Sequence, residues 1–367
     1  MSLLKRLFGT AASDAPAAEP VTDPLRINVY ATVRTLPPID FRHELLGWRD
    51  LSDPDLPDHL RGLTGYVMSR GDGEMTALRY HVWRHAQRVR NHVSLDVLPE
   101  DLDGLQRWAR TANGILFLPD GSVRAPDLAI LFDAEGASDP TAALPYQPDA
   151  IARRQRTLQL LEGLELQPPT SIPPAIGEAE LELRSPDEVL RRALALLYIA
   201  ARGQMQGTEV GPIPLGRRDE NPIGFAALTE RERALLDGAG AEEGAFAAIS
   251  WRYEAANALL WALGFEGASL ADSESLIDVD ALWRSVAEVA RAGAPGAGLA
   301  FRPAAEILDA LDRTWLEHWI VRQAHAKDLA IERPNGDVVM ERHVALNWLT
   351  SFQNEFGTSW DEIDTPT

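Results

Sequence analysis

The feature that most constrains this chain is a change in the period of its hydrophobic residues. From Leu25 the repeat is every second residue: Leu25, Ile27, Val29, Ala31 and Val33 alternate with Arg26, Asn28, Tyr30, Thr32 and Arg34. Successive side chains of an extended strand point to opposite faces, so this spacing predicts a half-buried strand. Beyond about residue 150 the apolar positions recur at steps of three and four, the spacing of helices that share a core. At 367 residues the chain is too long for one ordinary core, and the switch in period marks where a second begins.

In the first part, a helix is predicted around residues 55–69, followed by a glycine turn at Gly71 and Gly73. Strands are expected over residues 76–84 and 88–98, the second marked by Val89, Val93, Leu95 and Val97. Pro99 opens a helix through Leu102, Leu105 and Trp108, which Asn113-Gly114 closes with a left-handed cap. Residues 115–118 and 127–132, around the turn at Asp120-Gly121, supply a hairpin or two short strands. The order βαββαβ is that of a ferredoxin-like α+β sandwich, here assigned to residues 25–135. Residues 1–24 precede it as a flexible segment. Leu3, Leu4, Leu7 and Phe8 beside Lys5 and Arg6 form a short amphipathic turn, too small to hold a membrane firmly. Gly136, Pro140, Pro145 and Pro148 mark residues 136–149 as a linker.

Residues 150–367 read as a mainly α-helical bundle. A first helix covers residues 150–162. Ser185-Pro186-Asp187-Glu188 and Thr229-Glu230-Arg231-Glu232 are capping boxes that start two more. Residues 244–263 are apolar on nearly every side, the signature of a central helix. Asp278 caps another helix, Pro303 opens a long one to about residue 329, and a last one spans residues 340–352 before an acidic tail at 359–367. Residues 203–227 form a long loop rich in Gly and Pro, expected to lie partly ordered over the bundle surface.

Several strings of this second part resemble the bacterial family called domain of unknown function 4272. They are EVLRRALALLYIA from Glu188, LTERERALL from Leu228, WRYEAANALLWALGF from Trp251, ERHVALNWLT from Glu341 and SWDEIDTPT from Ser359. The most specific element is the set Trp251, Arg252, Glu254, Trp261, Leu263 and Gly264. Pro366 departs from the family pattern, where Asp is expected. The resemblance covers roughly residues 150–367 and implies a helical fold. It carries no catalytic residue to this chain.

Composition narrows function mainly by exclusion. The chain has no cysteine, which removes disulfides, thiolate zinc sites and cysteine nucleophiles. No nucleotide loop, nucleophile elbow or helical dihistidine zinc motif occurs, so no catalytic residue, metal or cofactor is assigned. No export signal or long apolar run is present, which makes the cytoplasm the expected compartment and stable membrane insertion an excluded one. The formal charge is −20, unevenly spread. Residues 25–150 hold 13 basic and 18 acidic side chains, whereas residues 151–367 hold 20 and 34. Nucleic acid is disfavoured as a partner, because neutralising phosphates needs clustered cations. A basic protein is favoured, because an acidic surface would steer it.

The candidate site residues are polar groups where packing alone would not choose them. Arg252, Glu254 and Asn257 lie in the apolar segment from Trp251, where buried charges must be paired. Arg252 and Glu254 stand about 200° apart on a helix. Each therefore needs its own partner, and Glu341, Arg342 and Asp361 are the candidates. The set forms either a locked polar network or a ligand pocket. A second cluster, His318, Arg322 and His325, continues the face of Leu308, Leu311 and Trp315 and is a candidate anion site, to which His343 and Asn347 can add. Its two histidines are roughly 10.5 Å apart, too far to share a metal. In the first part, Arg79, Arg84, Arg88 and Arg90 with His81, His85 and His92 form a local basic patch.

Two readings of function follow. The first is a non-enzymatic interaction or ligand-binding protein whose acidic helical domain neutralises a basic partner. The alternative is an enzyme using Glu254, His318 or Glu341 as acid or base, with Arg252 or Arg322 holding an anion. That alternative requires these side chains to converge on one pocket.

Overall fold

The period-two segment becomes β1 (Leu25–Ala31), a central strand of a six-stranded antiparallel sheet. The computed structural model describes residues 23–71, 73–207, 213–238, 244–292 and 298–367. The amphipathic turn at residues 1–9 and the middle of the long loop, residues 208–212, lie outside them. The chain divides into two units between Pro148 and Asp149.

In the first unit, β1 pairs with β3 (Asn91–Val97) on one side and β4 (Gly114–Phe117) on the other. With β2 (Glu44–Asp50), β5 (Val123–Arg124) and β6 (Ile130–Phe132) the spatial order is β2-β3-β1-β4-β5-β6. The alternation seen in the sequence separates two apolar layers. Ile27, Val29 and Ala31 pack with Leu102, Leu105 and Trp108, whereas Tyr30 packs with Leu63, Val67, Val82 and Ala86. The sheet is therefore covered on one face by α3 (Leu102–Thr111) and on the other by α1 (Leu56–Met68) and α2 (Ala77–Arg88).

The α+β class holds, but the elements run ββααβαβββ rather than βαββαβ. Residues 76–84, expected as a strand, belong to α2. Leu78, Val82 and Ala86 satisfy a four-residue step as well as a two-residue one, and Thr76 caps the helix by accepting from the Arg79 amide. Strand β2 was not expected, because Leu45, Leu46 and Trp48 on this edge strand are all exposed and do not alternate with polar residues. The proline-rich stretch 136–149 packs against the first unit: Leu144 is buried there, and the Gln147 amide donates to the Thr111 carbonyl at 3.2 Å.

The second unit contains α4 (Pro148–Leu160), α5 (Pro186–Gly207), α6 (Pro222–Ala226), α7 (Glu230–Leu236), α8 (Ala245–Ser250), α9 (Arg252–Ala262), α10 (Val279–Ala292), α11 (Ala304–Ala326) and α12 (Gly336–Thr350). Helices α5, α9 and α12 supply most of its main core, which explains why α9 and α12 have almost no polar face. The capping box at Thr229 forms on α7 with both of its reciprocal bonds, and Asp278 accepts from the Ala281 amide at 2.9 Å. The apolar segment 244–263 is two helices, not one, because the chain breaks at Trp251 between α8 and α9. Part of the long loop is structured as α6, tied down by Asn221, whose amide donates to the Leu194 carbonyl at 2.9 Å. Gly224 sits there because a Cβ would meet the same carbonyl at 2.3 Å. The acidic tail also packs, burying Trp360, and Trp315 donates to the Pro366 carbonyl at 3.1 Å. Among the described residues no helix is long and apolar enough to cross a membrane.

Candidate functional site

The charged residues Arg252 and Glu254 of α9 form separate pairs with α12. Arg342 donates from Nε and Nη2 to Glu254 Oε2 at 3.0 and 2.9 Å, both side chains being almost fully buried. Arg252, about a third exposed, donates from Nη1 to both oxygens of Glu341 at 3.1 and 3.0 Å. Burial pushes the Glu341 carboxyl upward, and the Arg252 guanidinium offsets part of that rise. Asp361 pairs with neither arginine. Its carboxylate accepts from Thr229 at 3.3 Å and its carbonyl from Arg231 at 3.2 Å.

These side chains also pin the loop between α9 and α10. Glu254 Oε1 accepts from the Ile277 amide at 2.8 Å, and Arg342 Nη1 donates to the Asp272 carbonyl. Asn257 bonds both backbone groups of Ser269, at 2.7 and 2.9 Å. Farther along, Ser273 donates to Glu317 at 3.0 Å. A segment with little regular structure is thus held by buried side chains from three helices. Its far end, Leu276, Ile277 and Asp278, forms one wall of a cavity of about 560 Å³.

The cavity is lined by the aromatic rings of Trp251, Tyr253 and Trp283 and by Glu254, Asp278 and Asp280, with Leu215, Ile213 and Val279 among its apolar contacts. Among the described residues no lysine, arginine or histidine lines it. Tyr253 donates to Gln204 at 3.0 Å, and burial, reinforced by Asp280, raises its phenol well above the ordinary tyrosine range. Glu254 is committed to Arg342 and Ile277, and Asp278 to the start of α10. Asp280 is exposed and, among the described residues, carries no hydrogen bond or ion pair. Charge near the cavity is therefore negative, beside rings whose faces attract cations.

The proposed anion cluster is not assembled as one site. His318 is buried, while Arg322 and His325 are exposed on α11. His318 Nδ1 instead lies 2.7 Å from His343 Nδ1, with the rings at 86° to one another. One nitrogen must donate and the other accept. Burial, with Arg322 nearby, lowers His318 to about 4, and burial beside His318 holds His343 well below its usual value. Asn347 donates to the Asp364 carbonyl at 3.0 Å. Among the described residues no group of three or more His, Asp or Glu is arranged to hold a metal ion. Of Glu254, His318, Glu341 and Arg322, only Glu254 lines this cavity.

The basic patch of the first unit is dispersed by α2. Arg79 is buried and donates to the Arg70 carbonyl at 2.7 Å, and His85 is buried against the Tyr30 carbonyl at 3.0 Å. His92 is buried on β3, where its Nε2–H donates to Asn28 Oδ1 at 3.0 Å and its Nδ1 accepts from Arg49 at 3.4 Å.

Sequence reasoning missed four buried arginines of the second unit, of which Arg153 donates to Asp149, to Asp309 and to the Ile176 carbonyl. Arg154 binds Asp312 through Nε and Nη2 and stacks 4.8 Å from the Trp315 ring. Arg184 donates to the Trp348 carbonyl at 2.7 Å and lies 4.3 Å from that ring. Arg192 bonds Glu232, with the Trp360 ring 5.0 Å away. The signal was present for Asp312, a carboxylate one residue after Leu311 on an otherwise apolar face.

The structure thus defines an α+β unit followed by a helical unit whose interior is cross-linked by arginine–carboxylate pairs and arginine–tryptophan stacks. Residues 153–363 match the model of the family described as Domain of unknown function (DUF4272), and the chain belongs to that family. The match lies within the helical unit. Comparison with curated proteins gave no match, and neither did comparison with solved structures.

Proposed function

We propose that the helical unit is a non-enzymatic binding unit that takes a cationic group, the ammonium or guanidinium of a basic protein partner, in the cavity between α5, α9 and the start of α10. The observation that carries this reading is the lining: three aromatic side chains and three carboxylates, with no basic side chain among the described residues. A cation over an aromatic face gains about 0.5–2 kcal/mol, more as it is desolvated. Asp280 supplies a carboxylate with no hydrogen bond or ion pair among the described residues, and Tyr253, kept protonated, offers a ring face rather than a competing charge. The volume is within the range that holds a side chain or small ligand. Under this reading Glu254, Asn257 and Arg342 are positioning residues that keep the loop wall in place. The acidic surface around the cavity raises the encounter rate with a basic protein.

The test is titration of the full chain with a basic peptide of about ten residues, followed by tryptophan emission, against an acidic peptide of equal length. Saturable binding of the basic peptide is expected, weakened about tenfold by Asp280→Asn and by Trp283→Ala, a loss of ~1.4 kcal/mol each. Binding that ignores both substitutions would overturn the assignment of this cavity.

A further inference from the structure

The sheet of the first unit ends at β2, whose outer edge pairs with no other strand among the described residues. An open edge presents unpaired backbone groups to any extended chain, and proteins usually blunt it with charge, proline or a bulge. Here the edge is rich in apolar side chains. Leu45, Leu46, Trp48 and the following Leu51 are 52%, 40%, 56% and 60% exposed. The bulge between Leu45 and Gly47 concentrates them. It sets Leu45 opposite Leu95 and Trp48 opposite Val93, so both lie on the face shared with α3 instead of alternating. Glu44, opposite Asp96, and Arg49, opposite His92, share the other face. The Trp48 indole donates to Asn91 at 3.2 Å, which holds the ring in place while leaving more than half of the side chain exposed.

We infer that β2 is a contact between two copies of this chain, formed by antiparallel pairing of β2 with β2 of a second copy about a two-fold axis between Leu46 and Gly47. The strand is self-complementary in this register. Glu44 meets the second copy's Arg49 on one face, and Leu45 meets its Trp48 on the other. Leu46 falls opposite its Gly47, where a Cβ would find no atom within 4 Å. A two-fold contact uses the same patch on both copies, so each pairing occurs twice. Arg49 already has Asp53 at 3.7 Å and His92 at 3.4 Å, and its remaining N–H groups can serve the incoming carboxylate. A slip of one residue sets Glu44 against Asp50 and opposes residues from different faces, which like-charge repulsion disfavours. The four apolar side chains bury a patch smaller than the roughly 800 Å² per partner of a standard stable interface, so the dimer is reversible, with a Kd on the order of 10 µM. This inference rests on β2 alone and stands apart from the cavity.

Sedimentation velocity of the full chain between about 1 and 200 µM tests it, a range chosen to bracket that Kd. A monomer–dimer equilibrium is expected, and Trp48→Lys or Leu45→Glu should shift it to monomer with the circular dichroism spectrum unchanged. Glu44→Arg and Arg49→Glu should each weaken association about tenfold, and the two together in one chain should restore it. Three results overturn the inference: a monomer throughout the range, a dimer indifferent to both apolar substitutions, or a charge-reversed double variant as weak as the singles.

Discussion

The two units bury polar groups in different ways. In the sheet unit they are mostly single side chains satisfied by nearby backbone or by uncharged partners: Arg79 on the Arg70 carbonyl, Arg124 on Ser122 and the Leu128 carbonyl, His85 on the Tyr30 carbonyl, His92 on Asn28. In the helical unit they are ion pairs between segments far apart in sequence: Arg342–Glu254, Arg192–Glu232 and Arg154–Asp312. The difference follows from where backbone hydrogen bonds go. Strands exchange theirs with neighbours, so ladder and pleat already dictate register. Helices satisfy theirs internally, and apolar side chains alone leave the slide of one helix on another loosely specified. Directional arginine–carboxylate pairs supply the missing specification, although burying them stabilises little in net terms.

The largest test of this contrast is Arg342→Met. Leaving Glu254 buried and unpaired should cost about 3–5 kcal/mol, whereas the double variant with Glu254→Leu should recover most of it. Urea unfolding of the four chains of this cycle measures the coupling. A single variant costing under ~1 kcal/mol would remove the pair from its specifying role. A smaller effect is expected from pH. His85 and His92 are lowered to about 3 and His318 to about 4, all below the ordinary 6.5. The unfolded chain therefore binds protons first, and stability falls as pH drops from 6.5 toward these values, by up to about 1.4 kcal/mol per pH unit for each histidine. In the helical unit His343, also lowered, adds to His318, but Glu341 acts in the opposite sense, since its raised pKa makes the folded state the better proton acceptor near and above 4.5. The sheet unit should thus lose stability more steeply between pH 6.5 and 5, as read from urea midpoints of NMR signals in β3 and α12. Smallest is Arg124→Met in the sheet unit. It bonds the neutral Ser122 hydroxyl and Leu128 carbonyl beside the part-exposed Asp120, so about 1–3 kcal/mol is expected, and a loss matching that of Arg342→Met would erase the contrast.

Legibility in the sequence followed the same division. The buried strand β1, the capped starts of α5, α7 and α10 and the near-apolar α9 could all be read locally, because propensity, capping and period agree there. The segment of α2 could not, since Leu78 and Val82 fit two periods at once. Strand β2 was hidden because an exposed edge imposes no alternation. Of the candidate site, Arg252, Glu254, Glu341 and Arg342 were legible as charges too deep in apolar sequence to stand alone. Asp361, Arg322 and His325 were misplaced: the tail folds onto α7, and the last turns of α11 are solvated.

By itself, then, the sequence determined the kinds of element, where most begin, and that certain charges had to be compensated. These depend on neighbours within a few residues or on the cost of desolvation, both of which composition reveals. Only the tertiary structure decided which charge meets which, that Arg342 rather than Glu341 faces Glu254, and that Leu276, Ile277 and Asp278 at the end of the loop after α9 become a wall of a cavity. Such outcomes depend on the rotation and slide of one helix against another. That geometry is the sum of many weak contacts over the whole core, and no local pattern encodes it.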